Sequence, residues 1–382
     1  MADRSFLAWP FFEDRHRSFQ TSLEEWCQKN LPVNDTDVDA ACRDLVARLG
    51  RDGLLNHTAI DPDGGSALDV RTLCLARETL ARHDGLSDFA FALQGLGAGA
   101  ISLFGTSEQR KWLRKTRQGR AIAAFALTEP KSGSDVANIE MSATKAGNFY
   151  RLDGEKTWIS NGGIADFYVV VARTGEAPGA KGISAFLVPA EIEGLEIAER
   201  LSVIAPHPLA RLRFNNMRLP ESAMIGRPGE GFRIAMSVLD IFRSTVGAAA
   251  LGFARRALDE TVKRVSERKL FGAPLAEQQM VQGHIAEMAL DIDAAALLVY
   301  RAAWAKDQGK SRISREASMA KLYATDRAQI VIDKAVQLHG AEGVRSGSVV
   351  ERLYREIRAL RIYEGASDVQ RIVIARQVLG GE

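Results

Sequence analysis

A block of short β-rich runs confined between two helical stretches most limits how this chain can fold. Between Ala121 and Phe214 the runs 122–127, 149–152, 156–159, 167–172, 182–188 and 211–214 carry β-type composition. Turn signals separate them at Pro130, Gly133, Gly147, Asp153 with Gly154, Asn161 with Gly162, Pro178 with Gly179, and Gly194. Before the block, apolar residues recur at helical spacing in 14–29, where Phe19, Leu23 and Trp26 share a face, and again in 37–51, 68–83, 89–104 and 107–118. A turn is expected at Pro62, Gly64 and Gly65. After the block come four longer helical patterns, 232–269, 275–308, 312–339 and 349–377, joined by glycine-bearing turns. The pattern predicts an N-terminal all-helical domain (1–120), a middle β-barrel or sandwich domain (121–223) and a C-terminal four-helix bundle (224–382).

Composition narrows the class of partner. Fifty Lys and Arg against 48 Asp and Glu leave a net charge of +2, which gives no electrostatic footprint for nucleic acid. The three cysteines, Cys27, Cys42 and Cys74, lack ligand-like spacing, so no metal site or disulfide framework is expected and a cytoplasmic, reducing setting fits. Acidic residues among the first twenty argue against a targeting leader. No uninterrupted apolar run reaches spanning length, so no membrane insertion is expected.

Several stretches could carry chemistry. Glu364 is followed by Gly365 and then a helical period, a carboxylate at a loop-to-helix junction; it suits either a base toward a carbon acid or a charge favourable to the helix dipole. Thr128, Glu129 and Pro130 with Gly133, Ser134 and Asp135 place hydroxyls and a glycine turn at a strand end, whether for a ligand or as plain turn chemistry. Strand alternation puts Trp158 and Ser160 on one side, where an aromatic plane and a hydroxyl could address a flat ligand or the core. Arg268 and Lys269 before Phe271 and Gly272, ahead of Gln279, read as helix capping or as a pyrophosphate contact. Asp240 and Arg243 lie three apart on one helix face, a spacing typical of a surface pair. Gly95, Gly97 and Gly99 suit close helix packing. No dinucleotide fingerprint of the Rossmann type occurs.

In order and spacing, Thr128-Glu129-Pro130, Gly133-Ser134-Asp135, Trp158 to Gly162, Arg268-Lys269 with Phe271-Gly272, Gln337 with Gly340, and Tyr363-Glu364-Gly365 resemble the acyl-CoA dehydrogenase family of flavoproteins over nearly the whole chain. The resemblance implies FAD as cofactor. Thr128, Trp158 and Ser160 would lie at the flavin, and Ser134 near both FAD and the thioester. Arg268, Phe271, Gln279, Gln337 and Gly340 would meet the FAD of a neighbouring subunit, which implies a homodimer or homotetramer. Asp240, Arg243 and Gly365 would sit on the substrate side, and Glu364 would be the base that removes the α proton of an acyl-CoA. The product would be a 2,3-enoyl-CoA and the electron acceptor an electron-transfer flavoprotein. Some relatives carry the base on the helix of Asp240, where this chain has Phe242. A relative acting on a cyclic, dicarboxylic or carrier-protein-bound thioester, or a non-catalytic flavin- or nucleic-acid-binding member, is the alternative. The three glycines, on that view, leave a wide cavity for a bulky acyl group. Leu270, Ala341, Ala366 and Asp368 depart from the usual family residues around FAD, and the loop holding Pro206, His207 and Pro208 is atypical, with His207 read as a surface histidine or a substrate contact.

Overall fold

The structure, a computed structural model, describes residues 3–64 and 67–380. Five helices come first: α1 (Asp14–Asn30), α2 (Val38–Arg51), α3 (Val70–His83), α4 (Gly85–Phe104) and α5 (Lys111–Arg117). Eight strands follow: β1 (Ala123–Ala126), β2 (Ser142–Ala146), β3 (Phe149–Ser160), β4 (Phe167–Arg173), β5 (Ile183–Pro189), β6 (Leu195–Arg200), β7 (Leu209–Pro220) and β8 (Met224–Ile225). Helix α6 (Gly231–Glu267) leads to a small hairpin, β9 (Lys269–Leu270) and β10 (Ala273–Pro274). The chain ends with α7 (Gln279–Asp307), α8 (Ser314–His339), α9 (Val349–Leu360) and α10 (Ser367–Val378). This is the expected order of helical region, β-sheet region and helical bundle. By compactness the chain groups into two units, one of residues 1–33, 69–88 and 243–382, the other of 34–68 and 89–242.

The first unit is built around α3, whose residues 70–81 are all buried. Asp69 caps it by accepting from the Thr72 N–H at 3.0 Å. A helix buried on every side must neutralise its charges internally, and each charged residue among 70–81 does so. Arg71 meets Asp307 of α7 at 2.7 Å, Arg77 meets Asp88 at 2.8 Å, and Glu78 accepts from Arg255 of α6 at 2.7 Å and from the Tyr300 hydroxyl. Helix α8 packs against α7, α9 and α10 to complete the bundle. The segment 349–377, expected as one helix, is two, because a left-handed turn at Glu364 and Gly365 interrupts it.

The second unit holds an eight-stranded sheet in the order β6-β7-β3-β2-β4-β5-β8, with β1 added in parallel on β4. Only the pair Ser142–Arg173 joins β2 to β4, so the sheet consists of two four-stranded halves. The expected turn at Asp153 and Gly154 is instead a bulge inside one continuous strand β3, opposite a register shift and with Gly154 at φ 139°. Strands β2 and β6 lack the alternation that would mark them, since β2 buries a single residue and β6 none. Pro62 and Gly64 do form a turn; Gly65 lies outside the described residues.

The glycines of α4 are filled by packing. A Cβ at Gly95 would stand 2.5 Å from the Phe242 ring, one at Gly97 2.7 Å from the Ala124 nitrogen, and one at Gly99 2.9 Å from Val238. They admit α6 and β1 to close range, as the close-packing reading expected. His207 is not a free surface residue; it is half-buried, its ring centroid 4.5 Å from that of Phe89. Helices α4 and α6 are long and apolar enough to cross a membrane by length and composition, contrary to the reading of the sequence. Their apolar windows are 94% and 83% buried, and core packing accounts for the composition.

Gly97→Val tests this packing. On an open helix surface, replacing glycine adds helix propensity, but here the side chain meets β1 backbone, and we expect a net loss of about 1–3 kcal/mol. Thermal unfolding checks it; a midpoint equal to or above the parent contradicts the packing argument.

Candidate active site

Two clusters collect the residues singled out from sequence, one in each unit. In the first, α9 ends at Leu360, and the Ile362 and Tyr363 N–H groups both return to the Ala359 carbonyl. Glu364 then adopts φ 51° and Gly365 φ 96°. Gly365 accommodates this freely; for glutamate the left-handed region is strained and persists only where the surroundings hold it. The surroundings are helices α6 and α8. Arg243 Nε from α6 donates to the Glu364 carbonyl at 3.3 Å, and Lys321 Nζ from α8 donates to the Gly365 carbonyl at 2.7 Å. Asp326, also on α8, accepts from Arg361 Nε, Ser367 Oγ and Arg371, each at 2.8 Å, and so ties down both flanks of the turn.

The side chain of Glu364 keeps partial solvent access but sits deep among protein atoms, and its Oε2 is buried with no hydrogen-bond partner among the described residues. Burial raises its pKa above the ordinary carboxylate value; the cations Arg77, Arg243 and Lys321 oppose the rise without cancelling it, and Asp88 adds to it. The Glu364 backbone N–H donates to no protein acceptor among the described residues. Arg77 remains charged in a fully buried position: burial works against it, and two 2.8 Å bonds to Asp88 outweigh that, with a third to Thr245 Oγ1 at 3.1 Å. Burial pulls Lys321 down to about 8, with Glu364 as the main opposing charge.

In the second unit, Lys156 is fully buried and donates to Glu129 at 2.7 Å and to the Leu127 carbonyl at 3.0 Å. Glu129 also accepts from the backbone N–H of Glu140 and Met141. Burial pulls Lys156 down to about 8, its pairing with Glu129 working against that. This buried pair fixes the Thr128 segment, whose carbonyl takes the Thr157 N–H at 2.9 Å. The next residue, Trp158, has φ 58° and is 57% exposed. That left-handed residue and a register shift interrupt the alternation from which Trp158 and Ser160 were assigned one side. The side chains of Thr128, Trp158 and Ser160 have no hydrogen-bond partner among the described residues. Ser134 is exposed in the following loop, and Asp240 is half-buried on α6.

The remaining residues read from sequence do not join the Glu364 turn. Arg268 precedes the β9–β10 hairpin, whose tip carries Phe271, 94% exposed at φ 53°, and Gly272 at φ 84°. Gln279 is exposed at the start of α7; Gln337 and Gly340 are exposed at the end of α8, where the Gly340 N–H caps the helix on the Gln337 carbonyl. Arg243 is buried rather than at the surface, with Nε on the Glu364 carbonyl. Ala366 occupies the N-cap of α10 without a capping side chain, and Asp368 supplies the acid of that first turn. Arg77, Asp88, Lys321 and Asp326 escaped the sequence reading. The available signal was a lysine within the small-residue stripe Ala317, Lys321, Ala324 and Ala328 of one helix.

Comparison with known proteins assigns this architecture. Family models for the acyl-CoA dehydrogenase N-terminal, middle and C-terminal domains match residues 13–120, 124–217 and 229–379. The chain is 33% identical over 377 residues to the 3-(aryl)acrylate reductase of Clostridium sporogenes, covering 97% of this chain and 100% of that protein. It is 38% identical over 338 residues to the human mitochondrial short-chain specific acyl-CoA dehydrogenase, covering 87% and 82% respectively. The solved butyryl-CoA dehydrogenase of Megasphaera elsdenii superposes with a TM-score of 0.90 at 33% identity, over 96% of this chain and 99% of that one. The chain belongs to the acyl-CoA dehydrogenase family, and its class is that of an oxidoreductase with an FAD-binding fold.

Lys156→Met tests the pair beneath the second cluster. It leaves the Glu129 carboxylate buried without its cation, and we expect a loss of about 3–5 kcal/mol, partly recovered when Glu129→Gln is added. Denaturant unfolding of both variants checks this; a single variant as stable as the parent contradicts it.

Proposed function

We propose that the protein is an FAD-dependent acyl-CoA dehydrogenase that forms a 2,3-enoyl-CoA thioester with Glu364 as the base. The observation that carries the reading is that one rigid turn presents both an unpartnered carboxylate oxygen and an unpartnered backbone N–H. The α hydrogen of a thioester is weakly acidic until its carbonyl is polarised. The Glu364 N–H supplies a donor to that carbonyl, and Oε2 takes the proton. The raised pKa matches a base that must bind its proton during the reaction.

The second cluster fits the cofactor. An exposed indole at Trp158, with the free hydroxyls of Thr128 and Ser160, suits a planar heteroaromatic ring with a hydrogen-bonding edge. Bound there, FAD would supply the two-electron acceptor for the hydride that leaves the β carbon. Ser134 lies on the thioester and FAD side of this reading, and Asp240, Arg243 and Gly365 on the substrate side. Arg243 acts there through the Glu364 carbonyl it holds.

The exposed Arg268, Phe271, Gln279, Gln337 and Gly340 are read as contacts to the FAD of a neighbouring subunit in a homodimer or homotetramer. Exposed apolar side chains on the C-terminal helices, Leu290 and Leu297 on α7 and Ile330 on α8, support association. An electron-transfer flavoprotein is the proposed acceptor. The three free, buried cysteines are in keeping with a cytoplasmic setting.

Two outcomes test the reading. Glu364→Gln lowers the rate at which an acyl-CoA bleaches the bound flavin by roughly 10²–10⁴-fold, as removal of a general base does; anaerobic stopped-flow absorbance measures it, and bleaching at the parent rate overturns the assignment. The base must be ionised to act, so kcat/KM falls as pH drops through the Glu364 pKa. Because that pKa is raised, the acid limb of the profile lies above the ordinary carboxylate range. A limb at or below that range contradicts the assignment.

A further inference from the structure

The turn that carries Glu364 stands on a residue that ordinary helix chemistry would exclude from its position. Lys321 lies on α8 among Ala317, Ala320 and Ala324, fully buried, where an alkyl or small side chain would be the expected occupant. Its Nζ donates to the Gly365 carbonyl at 2.7 Å, while Arg243 from α6 holds the preceding carbonyl, that of Glu364, at 3.3 Å. Two successive carbonyls of a left-handed turn are thus each gripped by a cation from a different helix. Asp326, on the same helix as Lys321, binds Arg361 before the turn and Ser367 and Arg371 after it.

From this geometry we propose that Lys321 is a positioning residue for the reaction, its bond to the Gly365 carbonyl holding the strained Glu364 conformation that aims the carboxylate at the substrate. The inference rests on the reading of Glu364 as the base. Without the bond, the Gly365 carbonyl loses a buried donor, and the turn can relax toward conformations that glutamate prefers. The same ammonium also contributes to the field at the carboxylate. The charged and titratable groups around Glu364 are Arg77 from α3, Asp88 from α4, Arg243 from α6 and Lys321 from α8; Lys321 in turn faces Arg243, Asp326 and Arg361. Removing one cation from this set disfavours the ionised carboxylate.

Lys321→Met, which keeps the length of the stem and removes the donor and the charge, is compared with the parent as FAD-loaded protein. Expected is a kcat lower on the order of 10–100-fold, the size of effect that misplacement of a reacting group produces, with KM within about twofold, and an acid limb of the pH profile moved to higher pH. A variant that loses only thermal stability, with kcat and the acid limb unchanged, shows Lys321 to be purely structural and overturns the proposal. Where the Met variant is not recovered as folded holoprotein, Lys321→Gln, which retains an N–H donor without the charge, is judged by the same displacement of the acid limb. Glu364→Gln run in parallel separates the two claims. An active Glu364→Gln sinks the base itself, whereas an inactive Glu364→Gln beside a Lys321 variant with parental kcat and acid limb sinks only this inference.

Discussion

Taking the Glu364 carboxylate out of water raises its pKa, and three cations placed around it restrain that rise without abolishing it. Most of the first unit can be understood as the scaffold that this balance requires. A cation cannot be buried alone, so Arg77 comes with Asp88 and Thr245, and Lys321 comes with the carbonyl of Gly365. Those partners must themselves be fixed, which is why the wholly buried α3 is laced to α6 and α7 through Glu78, Arg255, Tyr300 and Asp307. The bundle therefore does more than bury apolar surface. It holds a strained turn in one conformation while leaving one carboxylate oxygen and one N–H unpartnered.

The second unit applies the same physics to a neutral task. The pair Lys156–Glu129 is sealed off from water and saturated by backbone groups, Leu127 on the lysine side and Glu140 and Met141 on the glutamate side. Such a fully satisfied buried pair fixes local geometry more firmly than it stabilises the fold. Here it fixes the segment after β1 relative to β3, where a second register shift at the left-handed Trp158 leaves the indole exposed.

What could be read from sequence follows from the range of the interactions involved. The β block between helical regions was legible because periodicity is local, and the Glu364-Gly365 junction because an acid followed by glycine before a helix is a local signal. Strands β2 and β6 stayed hidden, since exposed residues interrupt their alternation, and β3 was split at a bulge that looks like a turn in one dimension. The glycines of α4 were visible as close-packing residues, but what fills the space, Phe242, Ala123 and Val238, is set by tertiary structure. Lys321 and Asp326 lie about forty residues before the turn they hold, and nothing short of the fold brings them to it. Arg243 shows another case: its helical spacing from Asp240 suggested a surface position, but it is buried and reaches the Glu364 carbonyl.

The central claim is that Glu364 removes the α proton, and the most direct test follows that proton. The FAD-loaded protein is incubated with an acyl-CoA thioester in deuterated buffer, and incorporation of deuterium at the α carbon is read by NMR for the parent and for Glu364→Gln. The account predicts incorporation by the parent and none above the uncatalysed background by the variant, whose FAD content and thermal stability match the parent. Incorporation by the variant at the parent rate would contradict it and place the base elsewhere.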